Sequence, residues 1–378
     1  MSTYPPGSTG QWVAVLILLT TLTSGCVPYL GDSEAALALE DISAGSLPSR
    51  LKEQTPEPVR RTVAYEVDGR SHKGDLYLSP EGANAGIVLV PGVVPAGKDD
   101  RRLVTLAKTL ARLRFAVLIP ELEGLRRYRV RTSDVRDVAD AFRHLRSLPE
   151  LQAQDSVGIA GFSYGAGPVL LAALEPSVHK TVEFVVLLGG YYDLRTIVTY
   201  FTTGYYRENS ENEWRRLSPH PYALQVFTLS NTDLLDRARD RAALRQYVWE
   251  IHDDVIAAAA VPTNLAPDAK AFFALLTNKD PNQVATLIKG LSPRIRNELD
   301  GLNPASHDLS RYRAEVIIVH GRGDNIIPYT ESVSLARALP NKKAHLYLID
   351  GFAHVDVGLE RKDIPRMLRA MEQLLEHR

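Results

Sequence analysis

Short apolar runs rich in β-branched residues recur along the chain, at Ile87 to Val90, Phe115 to Ile119, Val157 to Ala160, Phe184 to Leu188, Val316 to Val319 and His345 to Ile349. Each run is unbroken rather than alternating, which predicts strands of a sheet covered on both faces. Between the runs the period lengthens to that of a helix. Leu103, Leu106, Ala107 and Leu110 make one apolar stripe, and Val135, Val138, Ala139, Phe142 and Leu145 make another. Asp99 and Asp134 stand near the starts of these two helices, where the dipole favours negative charge. Ile364, Met367, Leu368, Met371, Leu374 and Leu375 mark a last amphipathic helix. Strand and helix in alternation predict a largely parallel α/β sheet. Arg60 to Val67 and Lys73 to Leu78, joined around Asp68-Gly69, predict a hairpin at its edge.

From Gly190 to Val316 the chain is too long for an ordinary crossover, which predicts an inserted helical lid over residues of about Arg195 to Ser306 (195–306). Within it, Asp233 to Asp254 reads as one long helix. Shorter helices are expected at Lys270 to Thr277, Val284 to Leu291 and Ile295 to Leu302, separated by Pro262, Pro267, Pro281 and Pro293. Tyr200, Phe201, Tyr205, Tyr206, Trp214, Phe272 and Phe273 supply this region with aromatic surface for an apolar pocket, although for each one packing of the lid onto the sheet is the commoner role.

Chemistry enters at Gly161-Phe162-Ser163-Tyr164-Gly165, between an apolar strand and a helix-like stretch from Ala166 to Leu174. A serine at such a sharp corner projects its hydroxyl outward, and glycines two positions away on either side let strand and helix backbones approach. A serine hydroxyl is a weak nucleophile, so it requires a base and a group to orient that base. Asp324 and His354 each follow the end of a predicted strand, on the side where reactive groups of such sheets gather.

The order Ser163, Asp324, His354, together with His320-Gly321-Arg322-Gly323-Asp324 and Gly351-Phe352-Ala353-His354, resembles the α/β-hydrolase superfamily from about Val59 to the carboxyl end. The resemblance implies a mostly parallel α/β-hydrolase sheet flanked by helices. It also implies catalytic roles for Ser163 as nucleophile, His354 as base and Asp324 as the acid that orients it. Backbone amides of Tyr164 and Val93 are expected to form the oxyanion hole. Two positions depart from the family pattern: Pro91-Gly92 stands where His-Gly is common, and Pro168 lies in the first part of the helix after the serine, which it is expected to tilt or delay. Asp193 is a rival orienting acid, read more readily as a helix cap. His320 reads as a packed residue, and His72, His144, His179 and His252 show no metal-ligand spacing, so neither metal nor cofactor is expected. Arg126, Arg127, Arg129 and Arg131 crowd one loop and read as a solvated surface, with attraction of an anionic group as the alternative.

The first residues carry a different signal. Trp12 to Thr23 is apolar and about a dozen residues long, short for a membrane span and right for the core of a signal peptide over residues 1–25. Leu22-Thr23-Ser24-Gly25-Cys26 resembles the lipobox of bacterial lipoproteins, which implies lipid attachment at Cys26, a periplasmic or membrane-anchored location, and a membrane as partner. Cys26 is the one cysteine of the sequence and has no intrachain disulfide partner. Residues 26–58 are expected to form a tether of limited order, and 59–378 the hydrolase domain. A net charge of −1 argues against nucleic acid as a partner. The expected function is a secreted, lipid-anchored serine hydrolase acting on a small-molecule carboxylic ester. Peptidase, thioesterase, acyltransferase or non-catalytic binding chemistry on the same fold stand as alternatives, and oligomeric state is left open.

Overall fold

The computed structural model describes residues 30–152, 156–208, 213–252, 262–340, 343–354, 356–357 and 361–378. The expected signal peptide and Cys26 lie outside the described residues. Eight strands form the main sheet: β1 (Val59–Val67), β2 (Arg70–Leu78), β3 (Ala85–Val90), β4 (Phe115–Pro120), β5 (Ser156–Phe162), β6 (Phe184–Leu188), β7 (Glu315–Gly321) and β8 (Ala344–Ile349). Their spatial order is β1-β2-β4-β3-β5-β6-β7-β8. All neighbours from β4 through β8 pair parallel, whereas β1 is antiparallel to β2 and β2 to β4. This is the mostly parallel sheet of an α/β-hydrolase. The order reverses between β3 and β5, and the crevice at their carboxyl ends is where such sheets bind ligands.

Unbroken apolar strands are explained by two cores, one on each face. Val88, Leu118, Ile159, Val185 and Ile318 enter one core, and Ile87, Leu89, Val117, Ile119 and Ile317 enter the other. Successive side chains of a strand point to opposite faces, so burial on both sides requires apolar residues at every position. Helices α3 (Arg101–Arg112), α4 (Thr132–Arg146), α5 (Ala166–Ala172), α12 (Thr330–Ala338) and α13 (Ile364–Leu375) cover the sheet. Asp99 stands two residues before α3, and the cap itself is Asp100, accepting from the amides of Arg102 at 2.9 Å and Leu103 at 3.4 Å. Asp99 instead ends a 3-10 turn and pairs with Arg60. In the β1–β2 hairpin Asp68 and Gly69 both have positive φ, the conformation a two-residue turn requires.

The expected tether is corrected by two helices, α1 (Glu34–Ala44) and α2 (Arg50–Gln54). Ser33 and Ser49 cap them, each accepting from an amide at 3.2 Å. Ala35, Leu37, Ala38, Leu39 and Leu51 are buried in the same core as α3 and α13. Gly45 and Pro48 separate the two helices rather than dissolving them. Buried Asp41 accepts hydrogen bonds from Ser49 and, at 2.6 Å, from Thr109 of α3, which fixes the pair to the body of the protein.

Between β6 and β7 stand α6 (Leu194–Thr203), α7 (Pro221–Thr232), α8 (Ala238–His252), α9 (Pro267–Leu276), α10 (Val284–Lys289) and α11 (Pro293–Gly301). The long helix expected from Asp233 starts only at Ala238. Leu234 and Leu235 donate back to Asn231 and Thr232 in three-residue turns, so the chain reverses there, and α7 and α8 pack against each other.

Candidate active site

Ser163 begins a single 3-10 turn, Ser163–Gly165, directly after β5 and before α5. Its φ of 53° is left-handed, a conformation that non-glycine residues adopt at a cost and that nucleophile corners impose. The flanking glycines are required by space: a Cβ on Gly161 would lie 2.8 Å from Ala166 Cα, and one on Gly165 would lie 2.4 Å from the Pro91 carbonyl oxygen. Pro168 is the third residue of α5, a position whose amide has no acceptor within the helix, so the proline is accommodated after the 3-10 turn.

Three distant side chains meet at this corner. The Ser163 hydroxyl lies 2.8 Å from His354 Nε2, and His354 Nδ1 lies 2.8 Å from Asp324 Oδ2. Nδ1 faces a carboxylate, so it carries the proton, which leaves Nε2 free to accept from the serine. Asp324 Oδ1 accepts from the amides of Ile326 at 2.8 Å and Ile327 at 2.9 Å. Burial opposes ionisation of Asp324, but His354 and His320 beside it hold its carboxyl well below the usual carboxylate range. Ser163 is 6% exposed and Asp324 1%, so the hydrogen bonds are screened from bulk water.

Val93 is buried in the loop after β3. That loop runs beside Ser163: a Cβ on Gly92 would stand 3.2 Å from Ser163 Cβ. The inserted helices are hydrogen-bonded to residues around the corner at three points. Tyr222 of α7 donates its hydroxyl to the Val93 carbonyl, Tyr164 donates to the Ala223 carbonyl at 3.3 Å, and Tyr200 of α6 donates to the Asn325 carbonyl at 3.0 Å. Tyr200, Phe201 and Phe272 are buried, with Phe201 and Phe272 ringing Phe227, whereas Tyr205, Tyr206, Trp214 and Phe273 are half-buried.

The other candidates have local partners. Asp193 caps α6, accepting from the Arg195 amide at 2.9 Å. Arg126 pairs with Glu121 at 3.1 Å, Arg127 with Glu123 at 3.0 Å and Arg129 with Asp233 at 3.6 Å, while Arg131 donates to the Val130 carbonyl at 2.8 Å. A cleft of about 960 Å³ between the hairpin and the loop after β4 contains none of the three catalytic candidates. Its His72 is paired with Asp140 at 3.0 Å. Among the described residues no cluster of His, Cys, Asp and Glu is placed to hold a metal.

One contact escaped the sequence reading. His320, fully buried at the end of β7, places Nε2 3.2 Å from Asp324 Oδ2 and 2.8 Å from the Ile327 carbonyl. Its Nδ1 lies 2.6 Å from the Ser332 hydroxyl on α12. The four-residue spacing of His320 and Asp324 was visible, but a strand followed by a turn gives no periodic rule that would bring the two together.

Among solved structures, the chain is similar to an acylaminoacyl peptidase of Pyrococcus horikoshii, at 12% identity and a TM-score of 0.48, covering 86% of this chain and 41% of that one. A puromycin-hydrolyzing peptidase of Mycobacterium tuberculosis matches at 17% identity and a TM-score of 0.48, covering 87% of this chain and 40% of that one. A dienelactone hydrolase of Anabaena variabilis matches at 16% identity and a TM-score of 0.45, covering 85% and 99%. The chain thus spans about two-fifths of the length of the two peptidases. No curated protein matches it in sequence. The family model for X-Pro dipeptidyl-peptidase (S15 family) matches residues 122–355, more than half of the chain and a span that holds Ser163, Asp324 and His354, and the chain belongs to that family of serine hydrolases.

Proposed function

We propose that the protein cleaves a carboxylic ester through an acyl-enzyme on Ser163. The supporting observation is the continuous relay from Ser163 through His354 to Asp324, with both links at 2.8 Å. As Ser163 Oγ attacks the acyl carbon, His354 Nε2 takes its proton, and the Asp324 carboxylate stabilises the imidazolium that forms. The amides of Tyr164 and Val93 receive the charge that develops on the carbonyl oxygen. Collapse of the tetrahedral intermediate expels the alcohol, which takes the proton from His354. Water then repeats the sequence on the acyl-enzyme. The inserted helices act as a lid, since Tyr200 and Tyr222 tie them to the loops that carry Asp324 and Val93.

Peptide-bond cleavage is a second reading, favoured by the family match. The test is turnover of p-nitrophenyl esters of graded acyl length beside an X-Pro p-nitroanilide, with covalent labelling by a fluorophosphonate. Wild-type protein is expected to label and to hydrolyse the esters, and Ser163→Ala to do neither. Ester turnover unchanged in Ser163→Ala sinks the proposal, and turnover of the anilide alone selects the second reading.

Cys26, behind its short apolar stretch, supports a further part of the proposal: export as a lipoprotein held to a membrane by lipid on that residue. Cys26→Ser is expected to move the protein from the membrane fraction to the soluble one when cells are fractionated. Retention at the membrane with acylation intact rejects the anchor.

A further inference from the structure

We propose that His320 is a positioning residue, holding the Asp324 carboxylate in the orientation that His354 needs. The inference rests on the triad reading above and extends it by two residues. His320 Nε2 faces only acceptors, the Ile327 carbonyl at 2.8 Å and Asp324 Oδ2 at 3.2 Å, so this nitrogen carries a proton and donates. With Nε2 donating, Nδ1 of the neutral ring is an acceptor, and the Ser332 hydroxyl at 2.6 Å is its donor. One tautomer therefore satisfies every partner.

The carboxylate is consequently gripped at both oxygens. Oδ1 takes two backbone amides, and Oδ2 takes the His354 N–H at 2.8 Å, while His320 Nε2, whose N–H is hydrogen-bonded to the Ile327 carbonyl, lies against Oδ2 at 3.2 Å. The two amides and His354 restrain the carboxylate about its Cβ–Cγ bond, and the buried His320 ring against Oδ2 limits the pivot that remains. The same ring also spans the turn, since it binds the carbonyl of Ile327, whose own amide holds Oδ1. Ser332 fixes the ring from α12, so the chain of contacts runs Ser332, His320, Asp324, His354, Ser163. His320 touches no reacting atom, and its effect is on geometry, where small displacements cost rate.

The experiment compares His320→Leu, His320→Gln and Ser332→Ala with wild type, each normalised to folded protein by circular dichroism. Readouts are kcat and KM on a p-nitrophenyl ester and the rate of fluorophosphonate labelling. His320→Leu removes the donor and is expected to lower kcat roughly 10- to 100-fold with KM unchanged. His320→Gln keeps an N–H where Nε2 stood and is expected to recover most of that loss. Ser332→Ala is expected to lower kcat less, again at constant KM. Wild-type kcat in folded His320→Leu, a loss carried in KM, or a glutamine variant no better than leucine overturns the proposal. If the leucine variant does not fold, Ser332→Ala decides, and wild-type kcat there overturns it. Failure of the triad reading shows differently, as wild-type protein that does not label at Ser163, and it removes both.

Discussion

Glu331 carries a cost that the active site does not. Its carboxyl is buried at the start of α12, where Oε2 accepts from the amides of Tyr192 at 3.0 Å and Asp193 at 2.8 Å, and Oε1 accepts from the Thr196 hydroxyl. Burial outweighs these donors, and the carboxyl is pushed up to about 7. The folded protein thus binds this proton more tightly than the unfolded chain, whose glutamate titrates near 4.5. The stabilisation is present below that lower value and is lost as pH rises through 7. Glu331→Gln keeps an acceptor for the two amides and removes the charge. It is expected to match wild type in denaturant unfolding near about pH 4 and to exceed it by on the order of 1–3 kcal/mol near about pH 8.5. A variant equally or less stable at the higher pH refutes the account. Asp324 is the opposite case: two imidazoles beside it overcome burial and hold it ionised. Sequence marked Asp324 as chemical because it follows a strand, but gave no sign that Glu331 would be buried, since that depends on the insert folding back over α12.

At the scale of elements, legibility followed whether the signal was local. Five of the six apolar runs sit within parallel strands buried on both faces, which leaves an unbroken pattern that needs no knowledge of the partner, and the sixth, His345 to Ile349, lies in the half-buried edge strand β8. The serine corner was legible for a similar reason: Gly161 and Gly165 are demanded by contacts of 2.8 and 2.4 Å with nearby backbone, so the motif records its own geometry. The break before α8 was not legible. Leu234 and Leu235 continue the apolar spacing of the following helix, but Arg241 donates to the Leu235 carbonyl at 2.7 Å and Arg245 to the Thr232 hydroxyl at 3.0 Å, closing the turn by tertiary contacts. Helices α6 and α7 also escaped notice, although α6 ends on Gly204 in a left-handed cap and α7 opens with Pro221. Those punctuation marks were present, and the apolar stripe between them was too full of threonine and tyrosine to stand out.

The whole molecule turns on the segment before β1, which sequence read as a tether and structure places in the core. Composition misled because Gly45, Pro48, Pro56 and Pro58 are spaced as in a linker, whereas the apolar content is concentrated in the short stretch Ala35 to Leu39. If the segment were a tether, a chain starting at Pro58 would be as stable as its parent. In the structure α1 lies against α3 and α13, and Arg378 near the carboxyl end donates to Glu34 at 3.0 Å. Buried Arg112 of α3 donates to the carbonyls of Thr55 at 3.2 Å and Pro56 at 3.0 Å. Truncation would remove those acceptors and leave a guanidinium at an apolar surface, besides exposing Leu110, Met371 and Leu374. Leu37, Leu39 and Leu51 each contribute about 1.5–3 kcal/mol by burial, so the loss is expected to consume most of an ordinary stability margin. The chain starting at Pro58 is therefore expected to unfold at much lower denaturant and temperature than the chain starting at Leu30. Because these helices cover a face of the sheet rather than the carboxyl ends of its strands, the molecules that remain folded in the cold are expected still to label at Ser163. Equal unfolding midpoints for the two chains would restore the tether reading, and loss of labelling from folded truncated protein would show that the amino-terminal helices reach the active site.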